Sequence, residues 1–169
     1  MQPPIESWNM IRRIMQTHAP AANVLIRVMV GSVFLSEGIQ KFLFPATLGP
    51  GRFEKIGFPD PALLAYFVGS FETSCGALVI LGVLTRLTVI PLICVISMAI
   101  ISTKVPILLG RDLLIFHVAK AAEHGFWSMA HEARTDFAML MGGLYLLLTG
   151  GGAWSVDALL TRNHSEPGS

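Results

Sequence analysis

ALLAYFVGSFETSCGALVILGVL, residues Ala62–Leu84, decides what kind of chain this is. It is apolar throughout apart from a few hydroxyls and one acid, Glu72, near its middle. About 20 apolar residues of helix cross a hydrocarbon core of about 30 Å, so the stretch is long enough to span a bilayer. Glu72 then lies too deep for a side chain of its length to reach water. A charge in hydrocarbon costs roughly 2.5–3.5 kcal/mol on insertion scales and persists where it faces protein, meets a counter-charge or lines a wet cavity. The carboxylate is therefore expected to point into a bundle; without a partner, burial favours the neutral acid, able to donate a hydrogen bond or carry a proton.

Three further stretches have the same character: Val24–Phe44, Leu87–Thr103 and Asp136–Trp154. Pro45 and Pro59-Asp60-Pro61 bracket the first connection, Gly150–Gly152 close the last span, and Thr85-Arg86 leaves so short a turn that the second and third helices must be antiparallel neighbours. The expected fold is all-α, an integral membrane four-helix bundle with antiparallel helices and left-handed packing. A polar segment (residues 1–22), a transmembrane domain (23–157) and a polar tail (158–169) make up the chain. Arg12 and Arg13 precede an apolar run longer than a signal peptide's, so the first span reads as a retained helix. Residues 104–135 form an interfacial connection in which Arg111–Glu123 reads as a surface-lying helix.

Composition agrees. The chain of 169 residues is 53% hydrophobic and 14% charged, against about 25% charged in an average soluble domain, and its mean hydropathy is +0.62. A net charge of +1 without a basic block excludes a nucleic-acid surface. Cys75 and Cys94 lie in apolar stretches without C-x-x-C spacing and read as small buried thiols.

An even number of spans puts both termini on one side, here side A; the connections 44–61 and 104–134 lie on side B. Glu37, Lys41, Lys104, Glu132, Arg134 and Asp136 gather toward side B, and with Arg27 and Glu72 they sum to zero charge. Arg27, Gly31, Glu37, Gly38 and Lys41 share one face at about 100° per residue. Gly69 and Gly76 flank Glu72 on its face, and Asp136, Gly143 and Gly150 recur every seven residues, a left-handed seam. Glu37 precedes Lys41 by one turn and is expected to pair with it. Glu72, Glu37, Lys41, Asp136, Lys104 and Arg134 are the candidates for ligand binding or proton handling; Arg27 and Glu132 complete a structural ion network. Such a network either fixes helix register or serves a ligand, and the residues alone leave both open.

His117, His124 and His131 are spaced seven apart, which resembles a ligand stripe, but seven helical residues rise about 10 Å, too far for one small ion. They read, with Trp127 and Lys120, as interfacial anchors, and no metal site is expected. Nucleophile elbow, phosphate loop, dinucleotide fingerprint and H-E-x-x-H are absent, so no intrinsic cofactor chemistry is expected.

Several short patterns together resemble the DoxX family along nearly the whole chain. They are Arg27 with Gly31 and Gly38-x-x-Lys41-Phe42; Glu72-x-x-x-Gly76 and Gly82-x-x-Thr85-Arg86; and Gly150-x-Gly152-x-Trp154-Ser155-x-Asp157. Thr103-Lys104-x-Pro106, His124-Gly125-Phe126-Trp127 and His131-Glu132-x-Arg134-Thr135-Asp136 resemble a subgroup, with Asp136 where many relatives carry Glu. The resemblance implies a bundle in a bacterial cytoplasmic membrane with cytoplasmic termini, and relatives linked to thiosulfate:quinone oxidoreduction or to oxidant and thiol stress complexes. The positive charges are neutral or mildly contrary to that orientation: Arg12, Arg13, Arg86 and Arg162 on side A face Arg52, Lys55, Arg111 and Lys120, plus the flanking Lys104 and Arg134, on side B.

The leading expectation is a membrane subunit of a redox system, with a pocket near Glu37, Lys41, Glu72 and Asp136 for a quinone or another small lipophilic ligand, and a protein partner in a redox complex. The alternative is a non-catalytic scaffold that docks other subunits or a second copy of itself. A small transporter or proton pathway has less support, since the chain shows no inverted repeat.

Overall fold

The computed structural model describes residues 20–119 and 123–163, and these are helical throughout apart from connecting turns. The elements are α1 (Asn23–Leu43), α2 (Pro50–Ile56), α3 (Pro61–Leu81), α4 (Thr85–Ala99), α5 (Val105–Leu109), α6 (Phe126–Thr149) and α7 (Val156–Asn163). A π-helical turn, Ile100–Lys104, joins α4 to α5, so that Thr85–Leu109 is one continuous rod. Pro106 cannot donate to the carbonyl four residues back, and the wider π turn, closed by Val105 N–H on the Ile100 carbonyl, absorbs that loss. The third apolar span therefore runs on to Leu109 rather than stopping at Thr103.

α3 and the Thr85–Leu109 rod are long and apolar enough to cross a membrane. α1 and α6 have the length, 21 and 24 residues, but carry Arg27, Glu37 and Lys41 or Glu132, Arg134 and Asp136. α6 begins at Phe126, a turn set by Gly125, well before the Asp136 expected from sequence. The expected surface helix over Arg111–Glu123 is not formed where the chain is described. Leu113 and Phe116 instead close a tight turn with reciprocal backbone hydrogen bonds, both 2.9 Å, while residues 120–122, including the expected anchor Lys120, lie outside the described residues. So do the polar segment up to residue 19 and the tail beyond residue 163.

Packing is closest between α1 and α3, where glycine removes side chains from the seam. A Cβ on Gly38 would lie 2.6 Å from the Thr73 backbone nitrogen, and one on Gly76 would lie 2.7 Å from that of Leu35. Gly31 faces Gly76 and Ile80, while Gly38 faces Gly69 and Thr73, so the contacting residues run in opposite order along the two helices. Beside this seam the core is built from Val30 and Phe34 of α1, Val79 of α3, Val89 and Leu92 of α4 and Leu146 of α6. Leu25, Leu63, Phe67 and Leu148 stand outward, as a lipid-facing surface requires.

On side B a roof forms from α2 and the 113–116 turn. His117 N–H donates to the Ile56 carbonyl at 2.9 Å, and the Phe116 ring meets Phe58 at 5.0 Å, which meets Phe53 at 5.1 Å. The exposed Asp112 anchors the turn: its Oδ1 accepts from the Val118 N–H at 2.8 Å, and its Oδ2 lies 3.1 Å from His117 Nδ1. The Val118 N–H first, and His117 second, hold the Asp112 carboxyl below the usual carboxylate range.

Two outcomes follow. Gly76→Leu forces the α1 and α3 backbones apart and is expected to lower the thermal midpoint of the purified protein sharply, by the ~1–3 kcal/mol or more typical of overpacking. Gly143→Ala, whose added Cβ meets only the Ile93 side chain, is expected to be mild. Second, a carboxyl whose pKa falls on folding stabilises above its unfolded value, about 3.9 for Asp, and loses that contribution as pH drops through the lower folded value. Hydrogen exchange at the Val118 amide should therefore stay protected from neutral pH through the ordinary Asp range and be released only below it; release at pH 5–6 would contradict the assignment.

Candidate functional site

Antiparallel contact of α1 with α3 brings Lys41, at the end of α1, beside Glu72, in the middle of α3. Their charged atoms, Lys41 Nζ and Glu72 Oε2, are 2.6 Å apart, with side chains only 9% and 6% exposed. At that burial the pair is removed from bulk water, where each charge needs the other. Lys41 Nζ also donates to the Glu37 backbone carbonyl at 3.3 Å. The expected Glu37–Lys41 side-chain pair is thus replaced by a cross-helix pair. The Glu37 carboxylate stays half-buried one turn away, and it and Arg52 of α2 lie close enough to act electrostatically on Glu72.

A second pair links the rod to α6. Lys104 Nζ, in the π turn, lies 3.3 Å from Asp136 Oδ2, with side chains 11% and 20% exposed. Glu132 and Arg134 do not join it: both are exposed, and Arg134 Nη1 lies 3.2 Å from His131 Nδ1. Helical phase turns Arg134 away, about 160° around α6 from Asp136; Glu132, four residues before Asp136, shares the face of Asp136 and Gly143 but stands exposed one turn nearer the start of α6.

Arg27 belongs to a third centre at the opposite end of α1, about 21 Å from Lys41 at 1.5 Å per residue. It is 3% exposed and donates to the Gly151 carbonyl at 3.0 Å and the Ile80 carbonyl at 3.1 Å. Around it lie residues not singled out as site candidates. Asn23 Nδ2 donates to the Gly150 carbonyl at 2.7 Å. Asp157, 1% exposed, accepts from the Leu84 N–H at 2.7 Å and from the Thr85 N–H and hydroxyl at 2.9 and 3.0 Å. Its own N–H donates to the Gly82 carbonyl at 3.0 Å, so α7 is strapped across the α3–α4 turn. A carboxylate at the first amides of α4 caps that helix from another part of the chain. The sequence carried a signal for this: Ser155 followed by Asp157 is a helix start, and Ser155 Oγ does accept the Ala158 N–H at 3.1 Å.

A groove of about 640 Å³ opens between α1 and α6 near this end, lined by Asn23, Ile26, Met29, Met141, Gly142 and Tyr145 among others. None of Glu37, Lys41, Glu72 or Asp136 lines it. The groove therefore excludes the ion-paired side chains, though its lining reaches Ala138, two residues from Asp136.

Long apolar helices, a lipid-facing exterior and charged groups turned inward define a helical membrane protein, which sits in a lipid bilayer. The DoxX family model matches residues 22–105. The chain is also 44% identical over 157 residues, 93% of its own length and 92% of the relative's, to the uncharacterized membrane protein Rv3486 of Mycobacterium tuberculosis. The chain belongs to the DoxX family. No solved structure matches it.

Losing one member of the Lys41–Glu72 pair should strand the other charge. Glu72→Leu and Lys41→Leu alone are each expected to cost about 3–5 kcal/mol, and the double replacement much less than their sum. Unfolding midpoints of the four proteins in detergent measure the coupling; additive losses would mean that the two groups do not interact.

Proposed function

We propose that α1, α3, the Thr85–Leu109 rod and α6 cross a bacterial cytoplasmic membrane as an antiparallel, left-handed bundle with cytoplasmic termini, and that the chain serves as a membrane subunit of a redox system. The observation that carries this reading is the Lys41–Glu72 pair, buried at 2.6 Å beneath α2, with the half-buried Glu37 one turn away. An ammonium and a carboxylate side by side offer a donor and an acceptor to the polar end of a quinone-like lipophile, while its apolar part lies against helix faces. The Lys104–Asp136 pair supplies a second polar contact toward side B. Electron transfer then belongs to the ligand and to a partner protein, the chain providing binding and orientation.

Glu72→Gln preserves shape and removes the charge. Quinone reduction per mole of folded protein in membranes bearing this variant is expected to fall at least about tenfold, equivalent to about 1.4 kcal/mol, beyond the loss of stability that an unpaired Lys41 brings, which the unfolding midpoint measures separately. Unchanged activity removes Glu72 from the mechanism, and gentle purification followed by lipid extraction and mass analysis should show a retained quinone.

A scaffold reading is favoured by a specific observation: Arg27, Lys41, Lys104 and Asp157 each already have partners inside the chain. Exchanging the two charges, Lys41→Glu with Glu72→Lys, separates the readings. A scaffold that needs only the pair keeps its function and its stoichiometric membrane partner or second copy; a ligand site that needs each group in place loses activity.

A further inference from the structure

Leu114 and Ile115, at the tip of the 113–116 turn, are 91% and 52% exposed. Leu114 adopts φ +54°, a left-handed conformation that a leucine side chain disfavours. Two-residue turns of this kind ordinarily carry Asn or Gly. The tip is nonetheless held firmly. Leu113 and Phe116 exchange backbone hydrogen bonds, Asp112 binds the Val118 N–H, and Phe116, 8% exposed, is seated against Phe58. The Ile115 carbonyl lies where any side chain on Gly57 would stand. The fold thus presents two aliphatic side chains outward at fixed positions, and no described residue covers them.

Their level in the membrane follows from the helices. The Thr85–Leu109 rod has 25 residues, about 37 Å at 1.5 Å per residue against a hydrocarbon core of about 30 Å, so its last turn reaches the lipid headgroups. The Gly125 N–H donates to the Ile107 carbonyl at 3.0 Å, setting the first turn of α6 at that level. Phe126 and Trp127 stand there 58% and 83% exposed, as aromatic residues do at a bilayer boundary.

We propose that Leu114–Ile115 is a membrane-inserting tip, seated at the headgroup–acyl boundary of the side-B leaflet, which pins the roof over the Lys41–Glu72 pair. The turn is bonded to the end of α2 through His117 and Ile56, and α2 carries Arg52, which acts on Glu72. Immersing the tip therefore restrains the segment above the ion pair. The aliphatic tip is flanked by the exposed Arg111, whose charge suits a lipid phosphate, and Asp112, the nearest acid, is turned back onto Val118 and His117, so the patch fits a lipid surface. This inference rests on the membrane-spanning reading and is independent of any quinone.

The full-length protein, with Cys75→Ala and Cys94→Ala, is placed in nanodiscs of phosphatidylcholine and phosphatidylglycerol. A bimane label is attached in turn to Leu114→Cys, to Glu54→Cys on the exposed face of α2 and to Phe67→Cys on the lipid face of α3. Lipids doxyl-labelled at acyl carbon 5 are expected to quench the labels at 114 and 67, and aqueous iodide to quench the label at 54 at least threefold more than that at 114. Absence of lipid quenching at 114 overturns the tip, with iodide quenching like that at 54 if water surrounds it and without such quenching if another protein does. Absence of lipid quenching at 67 overturns the spanning reading and the tip together. Leu114→Asp with Ile115→Asp should raise modification of Glu72 by a water-soluble carbodiimide at least threefold, and an unchanged rate overturns the pinning.

Discussion

The close approach of α1 to α3 is the constraint from which the rest follows. Two helix backbones touch where Gly31 and Gly38 meet Gly76 and Gly69. In a bilayer, lipid tails are as apolar as leucine, so helix association depends on close packing and polar contacts rather than on escape from water. This seam provides both. It fixes the register that sets Lys41 against Glu72, and at its other end it lays Arg27 across the carbonyls of Ile80 and Gly151.

The charges then divide into centres of different character. At the α7 end, the terminal nitrogens of Arg27 bond to backbone carbonyls and Asp157 accepts from backbone amides and the Thr85 hydroxyl, so that end is a clasp tying α1, the α3–α4 turn, the end of α6 and α7 together. Toward side B the partners are side chains, Lys41 with Glu72 and Lys104 with Asp136, under a small roof packed through Phe53, Phe58 and Phe116. Backbone carbonyls cannot leave their positions, whereas ion-paired side chains can exchange one partner for another. That difference in mobility is why the function is sought toward side B.

The legible part of the site was the part governed by local periodicity. Arg27, Lys41 and Glu72 share faces with glycines, and all three are buried. Partner choice was less legible. An i, i+4 relation suggested Glu37 for Lys41, but an interhelical carboxylate outcompetes it, because the Gly38–Gly69 contact brings α3 closer than the Glu37 side chain can turn back. Arg134 looked like a neighbour of Asp136 in sequence and diverges in space because two helical steps carry it about 160° around α6, whereas Glu132 keeps the face of Asp136 but stands exposed one turn nearer the helix start. The role of Asp157 was hidden because its partners, Leu84 and Thr85, are over seventy residues away.

Sequence by itself determined that the chain is helical and belongs in a membrane, that Glu72 must turn inward, and that the helices meet along glycine faces. These follow from length, hydropathy and the cost of a charge in hydrocarbon, which act residue by residue or over one turn of helix. Tertiary structure alone decided which charge pairs with which, that α7 locks the α3–α4 turn, that the rod continues through a π turn to Leu109, and that two aliphatic residues are held outward at a strained tip. Each of these depends on contacts between segments distant in the chain, whose energies no local pattern records.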